Sequence, residues 1–550
     1  MTTSEREILE QFRTRSRDAA ARFRDALTDA RQTQTRLLFD ECIRPNHDTV
    51  FGREHGFAAI RTVDDFRAAV PIRTYDGLAP WIDRAAAGEH AVLTAEDPLC
   101  FNRTSGTSNL PKRVPVTRSY RMTHDRDRAL AAWGFVLERF PELNAHANAL
   151  VNLVRDVRPV STTTSGGIPW LPFSIGCANH LRDELRGEPG TMAEWALVPA
   201  HITDEQERKY YRLRFAIEHD VRGFFATNPS TLLVLADQVH ASLPRLIDEL
   251  RAGTVCGVPG RAPAPERARQ LETLVGRRIT MKDVWPALSV VMSWTAASCR
   301  LYLPRVLERY GDGVKVQQVL SNSSEGPLTM VSTDHLTAGP PCITDVFYEF
   351  LPVDATDART RLLDELEVGG EYEIVMTQSC GLYRYAIGDV FRVAEMHEGA
   401  PLIEFVGRKD VVSSFTGEKL TEAHVQEALA AVADARIAHA TCFPRWSEPP
   451  FYVFVVESAR ADVSLASALA RQLDAELSRH NEEYASKRET ARLGPAHVHL
   501  VGPGTFTRFR DLLASRGTAP DQVKHKLIYR DDSMYATLVE LSPHPVVASC

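Results

Sequence analysis

The chain has 550 residues, more than the roughly 250 to 300 residues at which a single hydrophobic core stops growing, so at least two domains are expected. Its 44% hydrophobic and 25% charged residues are typical of globular domains, and the net charge of −8 argues against a general nucleic-acid binder. The nine cysteines form no C-x-x-C pair and indicate neither a zinc site nor a disulfide framework.

The first predicted element is a packing helix over residues 4–27, where Ser4 and Glu7 form a capping-box pattern. Thr117 is predicted to cap a second helix. Further along, helical stretches at 229–240 and 263–275 alternate with short apolar runs, which predicts an α/β fold. The runs predicted as strands are 223–228, 314–322, 345–352, 371–378 and 402–407.

A more compact pattern begins after residue 410. The sequence predicts a large domain over residues 1–410 and a small α/β domain over residues 411–550. The small domain is predicted to contain helices at 421–436, 465–489 and 505–517 and strands at 451–458 and 496–502. No apolar run reaches the roughly 20 residues that cross a bilayer, and the N-terminus is unlike a signal peptide, so we expect a cytoplasmic protein without a membrane partner.

The stretch TSGTSNLPKR at residues 104–113 combines small and hydroxyl-bearing residues with a basic pair. Small side chains allow the backbone to approach a ligand closely, and several N–H groups, hydroxyls and a lysine suit an anion such as phosphate. The alternative is a solvated loop, because clusters of Ser, Thr, Gly and Pro are common between elements. The predicted phosphate-binding residues are Thr104, Ser105, Gly106, Thr107 and Ser108.

Two carboxylates stand in patterns that suit a nucleotide. Glu325 follows a short hydroxyl run in SNSSEG, and a carboxylate of this kind suits Mg²⁺, which takes oxygen ligands and binds together with substrate phosphates. Asp389 follows Gly388, where it could accept the hydroxyls of a ribose. The alternatives are a solvated turn glutamate and a hairpin-turn aspartate. Lys419 stands just before the predicted helix at 421–436, and Lys524 stands near the C-terminus. Each lysine alone is more typical of a solvated surface position.

Taken in order, these motifs resemble the Gretchen Hagen (auxin-responsive) acyl acid amido synthetases, a family within the adenylate-forming superfamily. The resemblance spans nearly the whole chain and is carried by TSGTSNLPKRVPVT, LSNSSEG, DVFYEFLPV, GGEYEIVMTQSCGLYRYAIGDVFRV, EFVGRKDVV and LASRGTAPDQVKHK. It implies a large multi-layer N-terminal domain and a small mobile C-terminal domain. It also implies an ATP- and Mg²⁺-dependent enzyme that makes an acyl adenylate and passes the acyl group to an amine, usually an amino acid.

The resemblance also assigns residues, one by one. Residues 104–108 would hold the β- and γ-phosphates, Glu325 would bind Mg²⁺, and the hinge would fall at 408–410, beginning with Arg408. Lys419 and Lys524 would act at the phosphates and the carboxylate. The remaining nucleotide-binding residues implied are Ser323, Ser324, Tyr383 near the adenine, and Asp389 on the ribose.

The sequence departs from the family pattern at two places. Residues 109–111 separate the loop from Lys112, and Ser321 stands where the family has an aromatic residue.

The sequence leaves alternatives open for the acceptor, the general base and the acyl pocket. Delivery of the acyl group to a thiol of coenzyme A or a carrier protein is the alternative to delivery to an amine. His180, His424 and His525 are general-base candidates by residue type only. The resemblance implies an acyl pocket lined by the aromatic residues Tyr120, Trp170, Phe173, Trp294 and Tyr302, each with a core position as its alternative.

Overall fold

The computed structural model describes residues 3–103, 112–154, 162–227, 229–353, 359–409, 412–413, 418, 420–432, 437–447, 449–459, 462–489, 493–515, 526–542 and 546–549. Residue contacts divide the chain into two compact units. The first comprises Met1–Ile387 and Arg392–Glu404, and the second comprises Gly388–Phe391 and Phe405–Cys550. The domain boundary predicted near residue 410 stays a prediction, because that residue lies outside the described ones.

The described helices of the first unit surround its sheets. They are α1 Thr3–Thr28, α2 Ala30–Arg36, α3 Val50–Glu54, α4 Val63–Ala69, α5 Tyr75–Ala86, α6 Arg118–Tyr120, α7 Arg126–Arg139, α8 Phe173–His180, α9 Glu205–Ala216, α10 Pro229–Ala252, α11 Pro265–Glu272, α12 Met281–Val284 and α13 Leu303–Tyr310. Two π-helical segments, Leu37–Ile43 and Arg121–Asp125, interrupt the α-helical pattern. Such segments are rare and frequently occur at functional sites.

The strands up to residue 408 form five sheets. They are β1 Pro98–Arg103, β2 Arg113–Thr117, β3 Leu150–Asn152, β4 Trp170–Pro172, β5 Gly223–Phe225, β6 Thr254–Val255, β7 Val258–Pro259, β8 Val290–Ser293, β9 Lys315–Gln318, β10 Ser321–Asn322, β11 Pro327–Thr329, β12 Ala338–Gly339, β13 Phe347–Pro352, β14 Glu371–Gln378, β15 Leu382–His397 and β16 Ala400–Arg408. The sheet orders are β2-β1-β4, β3-β5-β8-β9, β12-β16-β15-β14-β13, β10-β11 and β6-β7.

The sheet β3-β5-β8-β9 is parallel throughout, as expected for strands that alternate with helices. Its residues belong to a buried cluster in which Phe224 packs edge-on against Trp285 and Tyr310. Helix α10 contributes a row of leucines to the same cluster, so the sheet is covered by helices as parallel sheets require. The predicted α/β class is therefore confirmed.

Helices α1 and α7 pack closely against each other. A Cβ atom on Gly134 would lie 2.2 Å from the carbonyl oxygen of Ser16, so only glycine fits at this crossing. Phe23 and Phe135 meet edge to face beside it. The predicted N-terminal helix is confirmed, and so is the helix cap at Thr117, whose hydroxyl accepts from the Tyr120 N–H at 3.2 Å.

The described elements that follow residue 408 are β17 Val412–Ser413, β18 Leu420–Thr421, α14 Glu422–Ala431, β19 Ile437–Arg445, β20 Phe451–Ser458, α15 Val463–His480, α16 Glu482–Glu489, β21 His497–Val501, α17 Thr505–Ser515, α18 Tyr535–Glu540 and β22 Val546–Ser549. They belong to the second unit, which contains a smaller sheet of order β19-β20-β21-β22. The core of this unit joins the sheet to α17 through Phe443, Val455, Phe506 and Phe509.

Three expectations of local structure were wrong. The run predicted as one strand over 314–322 forms two strands, β9 and β10, which belong to different sheets. The helix predicted over 465–489 is two helices, because Asn481 adopts an extended backbone and its side-chain oxygen accepts from the Tyr484 N–H at 2.8 Å, which begins α16. The hairpin-turn alternative for Asp389 also fails, since this residue lies inside the 16-residue strand β15. Among the described residues, no helix is both long enough and apolar enough to cross a membrane.

Candidate active site

The SNSSEG motif forms a tight turn between β10 and β11. The Ser323 N–H donates to the Gly326 carbonyl oxygen at 2.8 Å, and the Gly326 N–H donates to the Ser323 hydroxyl at 3.1 Å. A Cβ atom on Gly326 would lie 2.1 Å from Nε2 of Gln378, so a larger residue would displace this amide group. The predicted nucleotide contact of Ser323 must therefore compete with the bonds that close the turn.

Three neighbouring side chains fix the backbone of this turn. Gln378 donates to the Glu325 carbonyl oxygen at 2.8 Å, Asn102 donates to the Ser324 carbonyl oxygen at 3.4 Å, and the Tyr348 hydroxyl donates to the Pro327 carbonyl oxygen at 2.8 Å. These donors come from β14, β1 and β13, so three strands hold one loop. A turn held in this way presents its remaining side chain, that of Glu325, in a fixed position.

Glu325 is 7% exposed, and its carboxylate has no hydrogen bond or ion pair with any residue that the structure describes. A buried carboxylate without a partner is costly, and binding a cation removes that cost. Within the described ranges no group of three His, Cys, Asp or Glu side chains forms a metal cluster. A single carboxylate fits Mg²⁺, which keeps several waters and takes its other ligands from substrate phosphates.

A small cavity with room for about one water molecule adjoins Glu325. Its polar wall comprises Asn102, Tyr120, Arg128 and Gln378, and Phe173 contributes to its apolar wall. Two of the five aromatic residues predicted for the acyl substrate, Tyr120 and Phe173, thus lie at the same cavity as the predicted metal ligand. Sequence reasoning missed Asn102, Arg128 and Gln378, because nothing in their local spacing marks them as neighbours of residue 325.

Arg121 lies at the centre of the elements that surround this cavity. It is fully buried, and its guanidinium contacts Asp125 at 2.7 Å, Asn102 Oδ1 at 3.2 Å and Cys177 Sγ at 2.6 Å. Its charge also lies 5.8 Å from the centre of the Phe173 ring. A single cation from the π-helical segment therefore connects β1 and α8.

A chain of buried charges continues from Asp125 away from the cavity. Arg128 pairs with Asp125 and, at 3.3 Å, with Asp345. His124 contacts Glu41 at 2.7 Å and lies 3.8 Å from Asp345. Burial alone would lower the pKa of His124, but the hydrogen bond to Glu41 and the charge of Asp345 raise it above the ordinary value. Burial raises the pKa of Asp345, against the opposing effect of Arg128.

The other three predicted acyl-substrate residues are not among the residues lining this cavity. Trp170 pairs with Phe101 between β4 and β1 and lies under the Arg113 guanidinium, 5.1 Å from it. Trp294 follows β8, and Tyr302 belongs to the buried cluster around the parallel sheet. The core alternative therefore describes Tyr302, and substrate contacts by these three residues stay predictions.

Tyr383 is fully buried in an aromatic cluster. Its ring stacks on Phe51 at 4.6 Å and meets Phe57 edge-on, while its hydroxyl donates to the Leu93 carbonyl oxygen at 2.8 Å. Burial raises the pKa of this hydroxyl well above the ordinary value. A ring that is packed in this way does not favour the predicted contact with adenine, which stays a prediction.

The residue after it, Arg384, adopts a φ of 45° in the left-handed region. Its guanidinium forms a two-pronged pair with Glu349, at 2.8 and 3.0 Å, and also donates to the carbonyl oxygens of Arg67 and Val70. Arg67 and Thr360 complete the contacts of Glu349. These bonds offset the cost of the unfavourable backbone conformation.

Two further predicted residues, Asp389 and Arg408, belong to the second unit. Asp389 is 6% exposed and follows Gly388, whose φ of 80° favours glycine. The Gly388 carbonyl oxygen accepts from the Lys409 N–H at 2.8 Å. Arg408 is the last residue of β16. The predicted ribose contact and the hinge stay predictions.

Several predicted residues lie outside the described ones: Thr104, Ser105, Gly106, Thr107, Ser108, Lys419, Lys524 and His525. Of the other two histidines, His424 belongs to a capping box at the start of α14 with Thr421, which is a structural role. His180 ends α8, and burial lowers its pKa, as do the charges of Arg121 and Arg118. A neutral imidazole is the form that can accept a proton, but its role as general base stays a prediction.

Family models match three consecutive parts of the chain. They are the GH3 family N-terminal domain at residues 19–316, the central domain at 340–408 and the C-terminal domain at 419–533. Among curated relatives, the indole-3-acetic acid-amido synthetase GH3.8 of Oryza sativa subsp. indica is 26% identical over 92% of this chain and 89% of its own length. The corresponding GH3.3 protein of Arabidopsis thaliana is 24% identical over 92% and 90%.

Solved structures show the same fold. The AtGH3.15 acyl acid amido synthetase in complex with 2,4-DB matches with a TM-score of 0.82 at 20% identity, over 98% of both chains. A 2-hydroxyisobutyryl-CoA ligase in the postadenylation state matches with a TM-score of 0.51 at 14% identity, over 94% of this chain and 91% of its own. The adenylate-forming fold predicted from the motifs is confirmed, and the chain belongs to the GH3 family, the Gretchen Hagen family that those motifs resemble.

Proposed function

We propose that the chain is an ATP-dependent acyl acid amido synthetase that activates a carboxylic acid as an acyl adenylate and transfers the acyl group to an amine. The observation that carries this proposal is the unpartnered Glu325 carboxylate, fixed beside a cavity in a chain that matches GH3 family models from residue 19 to residue 533. Relatives over most of the chain are named indole-3-acetic acid-amido synthetases. The family resemblance implies an amino acid as the amine here.

The first step joins two anions, since a carboxylate attacks the α-phosphorus of ATP and pyrophosphate leaves. Catalysis of this kind depends on positioning and on neutralising charge. Glu325 would hold Mg²⁺, which supplies positive charge to the phosphates when bound. Residues 104–108 are proposed to bind the β- and γ-phosphates, and Asp389 is proposed to bind the ribose. None of these roles requires a covalent bond to the protein.

The second step is attack by a neutral amine on the acyl adenylate. A nitrogen–carbon bond forms, AMP leaves with the electron pair of the broken carbon–oxygen bond, and the amine loses a proton. Because the mixed anhydride is already activated, a general base is not essential. The alternative acceptor, a thiol of coenzyme A or of a carrier protein, would attack the same carbon. The cytoplasmic location and the identity of the cation as Mg²⁺ stay predictions.

The test is ATP–pyrophosphate exchange over a panel of carboxylic acids, followed by mass spectrometry of products formed with amino acids or with coenzyme A. We expect acid-dependent exchange and an amide product. Glu325→Gln should lower exchange at least tenfold, with partial recovery at higher Mg²⁺ concentration. Glu371→Gln is the control, because Glu371 pairs with Arg392 at a half-exposed position and should leave exchange unchanged. A thioester product without amide would replace the proposal with its alternative.

Lys524 is proposed to act during adenylation, on the strength of the family resemblance alone. Lys524→Ala should slow acyl adenylate formation tenfold or more, because a charge needed in the transition state is lost. The same variant, given chemically synthesised acyl adenylate and an amine, should still form product. Equal failure in both assays would show that the lysine has no step-specific role.

A further inference from the structure

The turn between β14 and β15 places an amide and a thiol side by side. Gln378 is the last residue of β14, and the Gly381 N–H donates to its carbonyl oxygen at 3.1 Å, which closes the turn. Within this turn the Cys380 thiol donates to Oε1 of Gln378, also at 3.1 Å. Gln378 and Cys380 are each only 1% exposed. Because water does not reach them, the thiol and the amide oxygen depend on each other for this hydrogen bond.

The chemistry of the two groups fixes the direction of the bond. Burial raises the pKa of the Cys380 thiol, so the sulfur keeps its proton and can donate it. The amide of Gln378 has an oxygen that accepts and an NH₂ group that donates. With its oxygen toward the thiol, the amide directs its NH₂ group toward the SNSSEG turn.

The NH₂ group meets that turn at the residue that carries the predicted metal ligand. Nε2 of Gln378 donates to the Glu325 carbonyl oxygen at 2.8 Å. A rotated amide would place its own oxygen against this carbonyl, and neither oxygen could donate. The thiol of Cys380 therefore favours the one orientation of the amide that bonds to the turn.

Close packing at the turn depends on a glycine. A Cβ atom on Gly326 would lie 2.1 Å from Nε2 and 3.1 Å from Cδ of Gln378, so the missing side chain is what lets the amide approach. The resulting bond of 2.8 Å is shorter than the 3.4 Å bond from Asn102 to the Ser324 carbonyl oxygen. Gln378 thus holds the turn more closely than Asn102 does.

We propose that Cys380 is a positioning residue for the metal site: its thiol orients the Gln378 amide, and the amide holds the turn that presents the Glu325 carboxylate. The inference rests on the proposed function, because it takes Glu325 as the ligand of the cation. A carboxylate that binds a cation in a fixed place depends on the groups that hold its own backbone. Loss of the thiol should therefore weaken cation binding more than it weakens the fold.

Two substitutions at residue 380 separate the hydrogen bond from the packing. Cys380→Ala removes the donor, whereas Cys380→Ser keeps one. We expect Cys380→Ala to raise the Mg²⁺ concentration for half-maximal ATP–pyrophosphate exchange about threefold or more, as the loss of one net hydrogen bond predicts. Its rate at saturating Mg²⁺ should stay close to that of the unaltered protein, and Cys380→Ser should restore most of the Mg²⁺ affinity. A serine variant that needs as much Mg²⁺ as the alanine variant would overturn the inference.

A second variant and a control test the same chain of bonds. Gln378→Met removes the amide at nearly constant length and should raise the Mg²⁺ requirement at least as much as Cys380→Ala. Asn144→Leu is the matched control, because Asn144 is 2% exposed, donates to the Leu9 carbonyl oxygen at 3.0 Å and does not line the cavity beside Glu325. This control should lower the thermal midpoint without changing the Mg²⁺ requirement. An equal shift in Asn144→Leu and Cys380→Ala, or no shift in Cys380→Ala, would contradict the positioning role.

Hydrogen exchange followed by mass spectrometry gives a readout that does not depend on activity. The Ser323 and Gly326 N–H groups are bonded within the turn, so a peptide spanning residues 321–329 should take up deuterium faster in Cys380→Ala and Gln378→Met than in the unaltered protein. Asn144→Leu should leave this peptide unchanged. If the unaltered protein shows no ATP–pyrophosphate exchange with any acid, the proposed function fails, while faster deuterium uptake would still support the positioning of the turn by Cys380. Unchanged uptake in both variants would overturn the inference even in an active enzyme.

Discussion

Among the described residues of the first unit, two of the buried arginine–carboxylate clusters differ in how completely their polar atoms are paired. In the first, Arg384 and Arg67 both contact Glu349, and Thr360 donates to the same carboxylate. In the second, Arg121 and Arg128 both contact Asp125, yet Nε of each arginine is unpartnered among the described residues. The first cluster is closed, whereas the second borders a cavity.

The difference separates a stabilising role from a functional one. A buried polar network contributes to a single native state only when its members are satisfied, and unsatisfied members indicate a ligand, an ion or water. Arg384 has a strained backbone conformation within β15, the strand that also contains Asp389. Its fully paired guanidinium therefore stabilises the conformation of this strand. Arg121 and Arg128 contact Asp125 at the π-helical segment, and Arg128 also lines the cavity beside Glu325.

The largest expected effect comes from breaking the closed cluster. Arg384→Leu leaves Glu349 buried with Arg67 as its remaining charged partner, and removing one member of a buried pair typically costs about 3 to 5 kcal/mol. We expect a loss of that size in the free energy of unfolding, measured by urea denaturation.

Arg392→Leu is the control for this change. Its pair with Glu371 at 3.1 Å is about 40% exposed, and exposed pairs contribute only about 0 to 1 kcal/mol. If the two variants lost equal stability, the closed cluster would have no special contribution. If Arg384→Leu altered exchange activity without loss of stability, the distinction between the clusters would fail.

A smaller effect is expected from a change at Asn102, which connects Arg121 of the second cluster to the SNSSEG turn. Its side chain accepts from Arg121 and donates to the Ser324 carbonyl oxygen. Asn102→Leu leaves both partners without this bond, at a cost of about 1 to 3 kcal/mol. Because the turn presents Glu325, we also expect a higher Mg²⁺ concentration for half-maximal exchange.

Asn148→Leu provides the comparison for that variant. Asn148 contacts His219 at 3.1 Å in a half-buried position and does not line the cavity. Asn148→Leu should lower the free energy of unfolding without changing the Mg²⁺ dependence of exchange. A shift in both variants would mean that general loosening of the unit, and not the Asn102 bridge, sets the response to Mg²⁺.

Sequence reasoning reached the fold and part of the site for identifiable reasons. Strand β14 coincides with the predicted apolar run at 371–378, because both faces of this strand are buried and its pattern is continuous. Glu325 was predicted because it stands in a local motif. Asn102 and Arg128 were not, because Asn102 contacts Ser324 across 222 residues of sequence and Arg128 contacts Asp345 across 217, and such contacts leave no local pattern.

Two further residues show where local reasoning stops. Tyr383 lies in a motif that resembles a nucleotide site, yet its ring is enclosed by Phe51 and Phe57 from the first sixty residues. Asn481 reads as one polar residue within a helical pattern, but its side-chain bonds divide α15 from α16. In both cases the local structure depends on contacts with residues distant in sequence or on a side-chain bond that the residue type alone does not predict.

The smallest expected effect concerns His124. This residue ends the chain of buried charges that runs from Arg121 through Asp125, Arg128 and Asp345. Its ring faces Glu41, Asp345, Arg128 and the Thr344 carbonyl oxygen, and Tyr120 packs against it at 5.2 Å. Burial opposes its charge, but the two carboxylates prevail and raise its pKa above 6.5. The folded protein therefore binds this proton more tightly than the unfolded chain does.

The sign of the pH dependence follows from that difference. The stabilisation is fully present below the unfolded pKa of about 6.5 and is lost as the pH rises through the raised folded value, since the folded state then holds more protons than the unfolded state. We expect His124→Gln to be less stable than the unaltered protein near pH 6, where the charged imidazole stabilises the folded state. The difference should shrink as the pH rises toward 9. Glu41→Gln removes the first of the two carboxylates and should flatten the same profile. Urea denaturation at several pH values measures both, and a difference between His124→Gln and the unaltered protein that stayed constant from pH 6 to pH 9 would show that the histidine contributes packing alone.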